Sequence, residues 1–346
     1  MAITTTGQIS AADIANEFGP TSNISLGAYR VSQTVGQLSN LALDNQTNGT
    51  NIEPLIPQSG PIKFSDFYGK RLNIVVDFYS SSVNNTTYRN ARSRYDEDNN
   101  AGTITILPTG STKGKPIAGA GSKIWIHVNQ TIGSLKGNRN YVALKTGFWS
   151  STATLITHIG TGGRIVGAGG NGGSGSTGTG GNATSGTSAL GVQYSTTVVN
   201  NGLIFGGRGG GGGGGGATYK TCARNKRGCK GGTTYNLTGG GGAGGRGFPG
   251  GTGGSGGNAG SSGTVDLNGS PGAGKFGDGT SKGYDGTSGA GGSIESSGGS
   301  GSPGSPGGSG GPRGYAIIIN SGNGFSISGN SPDGGVVPES SVGPVR

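Results

Sequence analysis

The chain has little of what an ordinary folded domain relies on. Of its 346 residues only 29% are hydrophobic, 6% aromatic and 12% charged. So few apolar residues exclude one conventional core running through the whole length. So few charges exclude the charge-driven kind of disorder. Fourteen prolines are too few for collagen, which needs roughly 15–20% with a strict Gly-X-Y repeat. No apolar run approaches the ~20 residues of a membrane-spanning helix, and Met1–Thr5 opens no secretory signal, lacking a basic start and an apolar stretch. There are two cysteines, Cys222 and Cys229, and two histidines, His127 and His158. No His, Cys and Asp cluster has metal-ligand spacing, and the phosphate-loop pattern Gly-x-x-x-x-Gly-Lys-Ser/Thr is absent. No cofactor and no metal are expected.

What the chain has is glycine, 83 residues of it. Sixty-two of these fall between Gly160 and Gly314. There they recur every third position: Gly169, Gly172, Gly175, Gly178 and Gly181; Gly241 through Gly256; Gly283 through Gly292; Gly298 through Gly310. Gly209–Gly216 is unbroken glycine. Three is the period of a polyproline-II-type helix, which has no internal hydrogen bonds. Packed side by side, such segments approach closely at each glycine, and their N–H and C=O groups bond between neighbours. Because glycine loses much entropy on ordering, only a dense lattice of inter-segment bonds holds it. Runs this short favour several segments folded back within one chain.

The remainder divides in two. Residues 1–70 carry an internal repeat: Gly7-Gln8-Ile9-Ser10-Ala11-Ala12-Asp13-Ile14 aligns with Gly60-Pro61-Ile62-Lys63-Phe64-Ser65-Asp66-Phe67. Each copy reads as an extended entry into a helical turn, with Ser10 as N-cap and Asp13 at the third helical position. The polar stretch between the copies buries little alone and is expected to order by docking on a partner. Residues 71–160 hold five β-branched and aromatic runs, Leu72–Tyr79, Gly102–Leu107, Lys123–Val128, Tyr141–Leu144 and Ala153–Thr157. Their number in this length predicts a small antiparallel β-sandwich. Beyond Gly160, Gly163–Gly167 and Gly202–Gly206 look alike, Gly324–Gly329 is a looser third copy, and Thr196–Asn201 and Ala316–Asn320 are similar lead-ins. These are expected to be strands anchoring the glycine segments.

Strand motifs running into glycine tracts, as in Arg164–Gly173 and Asn200–Gly207, resemble the glycine-rich receptor-binding proteins of tailed phages, the distal tail-fibre adhesins of T-even-like phages. The resemblance covers residues 160–330. It implies glycine tracts packed as polyglycine-II helices, with variable loops at a tip that touches the host receptor. The Gly-x-Ile-x-x-x-Asp pattern also resembles N-terminal segments of phage structural proteins. Residues 71–160 do not match the attachment domain of the T-even adhesins, which leaves a tail-tip or short-fibre position open. The expected organisation is mainly β: a virion attachment segment over 1–70, the sandwich over 71–160, a polyglycine-II adhesin domain over 161–330 and a tail over 331–346. The expected location is the virion tail or tail fibre. The partners expected are other virion proteins through residues 1–70, a host glycan, lipopolysaccharide or outer-membrane protein, and further copies in a homotrimer.

One loop is chemically distinct. Between Ala217 and Leu237 lie Lys220, Arg224, Lys226, Arg227 and Lys230 with no acid, flanked by Tyr219 and Tyr235. These seven residues are the expected receptor contacts, suited to anionic surface groups; the bland alternative is a solvated basic loop. Cys222 and Cys229 are either bonded, stiffening the loop, or free thiols. Tyr194, Phe248, Phe276 and Tyr284 read as caps on the glycine lattice before sugar-stacking residues. His127 reads as structural. Asp96, Glu97 and Asp98 beside Arg89, Arg92 and Arg94 read as a charged loop, so no catalytic residue is expected. Despite the net charge of +10, no nucleic-acid motif is present; the rival here is RGG-type disorder around Arg208 and Arg246. The functional expectation is a non-enzymatic phage adhesin, the alternative a purely structural virion component, and an ice-binding protein is disfavoured by irregular threonine spacing.

Overall fold

The computed structural model describes residues 4, 6–18, 26, 60–68, 73–78, 89–90, 104–107, 123–149, 154–220, 233–264, 267, 269–270, 272–273, 276–277, 286–287, 290, 293, 295–296, 299–300 and 305–342. These are mostly β, with one short α-helix, α1 (Ala11–Phe18). The strands in order are β1 (Asn73–Phe78), β2 (Arg89–Asn90), β3 (Ile104–Leu107), β4 (Lys123–Val128), β5 (Thr131–Ile132), β6 (Val142–Lys145), β7 (Thr154–Ile159), β8 (Arg164–Val166) and β9 (Ser188–Val192). There follow β10 (Thr196–Asn200), β11 (Leu203–Phe205), β12 (Ala217–Lys220), β13 (Thr234–Leu237), β14 (Phe276–Gly277), β15 (Gly286–Thr287), β16 (Ile317–Ile319), β17 (Phe325–Gly329) and β18 (Val336–Pro338).

Pairing is almost entirely parallel and cycles through three sheets. β1, β4, β7, β10 and β17 lie side by side in the first. β5, β8 and β11 form the second. β2, β6, β9, β16 and β18 form the third. The chain therefore winds β4–β5–β6, then β7–β8–β9, then β10–β11–β16, as the coils of a three-sided parallel solenoid. Ile126 and Val198 from the first sheet, Ile132, Ile165 and Ile204 from the second, and Leu144, Leu190 and Ile317 from the third share one buried cluster. Along β4 the alternation places Ile124, Ile126 and Val128 in that cluster, as a period of two requires.

This corrects the expected antiparallel sandwich over 71–160. The runs within the described residues are strands, but β4 pairs parallel with β1 and β7; among the described residues of the first sheet, only β1 and β3 pair antiparallel. Alternation reports which face is buried and not which strand lies alongside. Short corners such as Asn129–Gln130 carry the chain to the next face instead of reversing it. The sheet also runs across the boundary expected at 160/161, since β7 pairs with β10. The similar segments Gly163–Gly167 and Gly202–Gly206 contain β8 and β11, which are in-register neighbours. The looser third copy, β17, lies instead beside β10.

The glycine segments are two excursions from this solenoid, one between β8 and β9 and one between β11 and β16. Apart from β12 to β15 in the second excursion, their described residues form neither helix nor strand, yet the glycine backbones are bonded to one another with a period of three. Gly169, Gly172 and Gly175 donate to Pro249, Thr252 and Ser255, while Gly170, Gly173 and Ser176 donate to Arg208, Gly211 and Gly214. Residues 206–216 occupy the middle. Gly207, Gly210, Gly213 and Gly216 donate to the segment 178–187, Arg208, Gly211 and Gly214 donate to 240–246, and Gly308, Gly311 and Gly314 donate back to it. Gly212 and Gly215 donate to Ser296 and Gly299. A Cβ on Gly209, Gly210, Gly213 or Gly215 would collide with the carbonyl of Gly311, Asn171, Ser174 or Ser305. A segment surrounded on all sides needs glycine throughout, which accounts for the unbroken tract; an outer segment needs it on its inward positions alone. Within the run Gly241–Gly256 the chain turns back at the cis Phe248–Pro249 bond, so one sequence register serves two adjacent segments. In the last run Gly308, Gly311 and Gly314 meet the segment 181–187, one position out of phase with Gly307 and Gly310.

Candidate functional site

Bond directions fix where the loops lie. The segments 167–176, 206–216 and 249–257 run the same way, and 178–187, 238–248, 258–264 and 305–316 run back. One end, containing Gly167, Thr187, Gly207, Phe248 and Gly314, adjoins the solenoid. The turn at 176–178, the join at 257–258 and the excursion between Gly216 and Gly239 are therefore together at the opposite end. Phe248 sits at the solenoid end, where its carbonyl accepts from Ser134 N–H at 3.1 Å; Tyr194 is partly buried against the core. Phe248 thus lies at one end of the glycine lattice, whereas Tyr194 packs on the solenoid core and not on the lattice. Phe276 lies on the short strand β14, and Tyr284 lies outside the described residues.

The basic loop begins and ends as a hairpin. β12 and β13 pair antiparallel, setting Tyr219 opposite Tyr235 and Lys220 opposite Thr234. Tyr235 is 46% exposed, and the paired strands stand at the far end of the lattice. β15 lies against β12, a neighbour that spacing did not reveal. Arg224, Lys226, Arg227 and Lys230 lie outside the described residues, as do Cys222 and Cys229.

At the solenoid end three arginines hold the lattice in place. Arg246 stacks 4.3 Å from the Phe205 ring centroid and Arg313 5.2 Å from it. Arg313 also pairs with the Asp333 carboxylate, while Asp333 N–H donates to Ile204 O at 2.8 Å. Arg208 pairs with Glu295 at 3.5 Å. The RGG-like sites are thus ordered, which removes the reading of them as disordered. Lys136 Nζ donates to Asn171 Oδ1 at 3.2 Å, and burial holds its ammonium below the usual lysine value.

The two N-terminal repeats share their entry geometry but not their element, the first leading into α1 and the second into a single 3-10 turn over Phe64–Phe67. Gly7 and Gly60 both have positive φ, +93° and +77°. Ser10 N–H donates to Asp13 Oδ2 at 2.8 Å and Asp13 N–H to Ser10 Oγ at 3.1 Å. Ser10 Oγ also donates to Asp13 Oδ2 at 2.7 Å; this bond first, then the one from Ser10 N–H, holds the Asp13 carboxyl below its ordinary value. Lys63 N–H donates to Asp66 Oδ2 at 2.8 Å in the second copy. Ile14 and Phe67 are fully buried, and Tyr68 Oη donates to the Gly7 carbonyl, joining the copies. Phe64 and Tyr68 stay exposed, a feature of the repeat that the sequence alone did not mark. Among the described residues no three His, Cys, Asp or Glu side chains are grouped to hold a metal ion. Of the acids near position 96, none is among the described residues.

The described architecture is a parallel solenoid with a glycine lattice whose loops leave at the far end. Residues 94–337 match the phage tail fibre adhesin Gp38 family. The chain belongs to that family and is a component of the virion tail fibre. No curated protein matches it. Among solved structures it is similar to the gp37–gp38 adhesin tip complex of the bacteriophage S16 long tail fibre, at 16% identity over 96% of this chain and 99% of that one, with a TM-score of 0.37. That value marks a distant likeness.

Proposed function

We propose that this chain is a non-enzymatic adhesin that binds a host surface receptor through the loops at the far end of its glycine lattice. The observation that carries the reading is topological: the segments on both sides of Ala217–Leu237 are built into the lattice, and they release this loop at the end opposite the solenoid. Tyr219, Lys220, Arg224, Lys226, Arg227, Lys230 and Tyr235 are the proposed contacts. Their positive charge suits phosphate or uronate groups of a surface polysaccharide, and the tyrosines offer flat faces for sugar rings. A Cys222–Cys229 bond would lower the entropy lost on binding.

The glycine segments are proposed to be polyglycine-II helices. The period-three bonding between segments supports this, since such a helix bonds to its neighbours and not to itself. With ~3.1 Å per residue, the central segment would hold the loop roughly 30 Å from the solenoid. Residues 1–70 are proposed to attach the chain to another fibre protein, with Phe64 and Tyr68 as exposed anchors; a homotrimer remains part of the proposal for the assembled fibre. Replacing Lys226 and Arg227 together by Glu tests the receptor reading. Phage carrying the variant, or purified protein used as a competitor, is expected to lose at least tenfold in adsorption. Unchanged adsorption, with the protein still on the virion, would favour a purely structural component.

A further inference from the structure

The solenoid ends, at one side, in the coil made of β17, the bridge between Asp333 and Phe205, and β18. β17 and β18 are edge strands of their sheets. β18 finishes on Pro338 and runs into the turn Glu339–Ser341, and proline blunts an edge against further pairing. β17 has no such device. It reads Phe325-Ser326-Ile327-Ser328-Gly329, and the whole stretch from Asn320 to Pro332 is uncharged in a chain of net charge +10.

The backbone of β17 offers hydrogen bonds on its outer side. Thr196 N–H donates to Gly324 O at 3.1 Å, and Asn330 N–H donates to Asn200 O at 2.6 Å. Alternate residues of a parallel strand bond to the same neighbour, so Gly324, Ser326, Ser328 and Asn330 face β10. Phe325, Ile327 and Gly329 therefore turn their N–H and C=O groups away from the sheet. The inner row of side chains also stops short of cover here. Ile327 continues the register row of Ile126, Thr157 and Val198. Those three are 0% exposed, and Ile327 is 36% exposed.

We propose that β17 is a self-association edge, pairing antiparallel with β17 of a second copy of this chain about a two-fold axis at Ile327. Ile327 then meets its own counterpart, and Phe325 meets the glycine at position 329 of the copy. Each of these pairs exchanges both N–H···O=C bonds. Phe325 lies over a glycine, a pairing that supports a sheet edge, and Ser326 stands opposite the serine at 328 on the outer face. Large residue against small and neutral against neutral, the strand is complementary to itself, as a two-fold contact requires. The inner apolar rows of the two solenoids join across the axis and cover Ile327. The other end cannot take this place in a head-to-tail stack of parallel coils, because β3 lies antiparallel beside β1 there. The contact closes as a dimer and forms no filament. One five-residue strand pair is smaller than a standard interface, so the dimer is weak and populated at roughly 100 μM.

Sedimentation velocity of the full-length chain across a concentration series tests this, with Cys222 and Cys229 replaced by Ser to prevent disulfide-linked dimers. Monomer is expected at low concentration and dimer at high. Ser326→Lys with Ser328→Lys sets like charges opposite each other across the axis and is expected to weaken dimerisation about tenfold. Ser326→Lys with Ser328→Glu sets opposite charges there and is expected to restore the parent affinity to within about threefold. Both positions are exposed, so both variants are expected to keep the parent thermal midpoint within a few degrees. A chain that stays monomeric to roughly 1 mM, that forms a trimer, or that dimerises equally in the two double variants overturns the proposal. Protection of the Phe325 and Ile327 amides only in the assembled fibre would also overturn it and give this edge to a strand of another fibre protein. Since no readout involves host cells, failure here leaves the receptor reading standing.

Discussion

At the scale of single residues, the glycines are not equivalent, and their surroundings say which can be replaced. Gly209 lies in the central segment, where a methyl group meets the Gly311 carbonyl. That contact is backbone against backbone, so neither side yields cheaply. Gly178 lies in a far-end turn, where the nearest atom to a Cβ is Ser176 Oγ at 3.8 Å. Gly209→Ala is therefore expected to lose roughly 1–3 kcal/mol or more, and Gly178→Ala to stay within about 0.5 kcal/mol of the parent. Denaturation midpoints of the two variants check this, and equal losses would mean that the central segment is not confined. The motif Gly-x-Ile-x-x-x-Asp is a second residue-level case. Ser10 and Asp13 could be assigned their capping roles from residue type and spacing, and the structure bears that out. The joining of the two copies through Tyr68 and Gly7 depends on a return of the chain that no local pattern encodes.

At the scale of elements, the strands were legible because β-branched runs bounded by Gly, Asn and Ser are a local signal. Lys123–Val128 is a strand at its expected limits, and Thr154–Ile159 differs from the expected run by a few residues. Pairing direction was not legible, because an amphipathic strand has the same period in a hairpin and in a solenoid coil. The glycine segments show the converse. Their bonding partners were predictable in kind, being other glycine segments, since a period of three leaves no partner within the segment. Slow amide exchange is accordingly expected across Gly207–Gly216, with protection close to that of β7, although no strand or helix is assigned there. Exchange mass spectrometry resolves this, and rapid exchange through the tract would remove the lattice and the display argument with it.

For the whole molecule, the main consequence is a division of labour. The core of the solenoid and the central glycine segment form the buried part of the molecule, and the loop between β12 and β13 leaves the lattice at its far end. A loop that contributes nothing to either should be removable. Replacing residues 221–232 by Asn-Gly, a pair suited to a two-residue hairpin turn, is expected to leave the thermal midpoint within a few degrees and to abolish competition for host adsorption. Loss of folding would show instead that the loop is part of the scaffold. The basic character of this loop and its tyrosine flanks were legible in the sequence; that β15 packs beside its base was not. The sequence by itself determined the composition of the parts: a repeated N-terminal motif, β-forming runs and glycine at every third position, because steric freedom and strand propensity are local properties. The tertiary structure alone decided that the strands wind in parallel, that the unbroken glycine tract lies at the centre of the lattice, and that the basic loop leaves at the end away from the solenoid. Each of these depends on contacts between residues far apart in the chain, and such contacts are set by packing and hydrogen-bond satisfaction across the fold, not by any single segment.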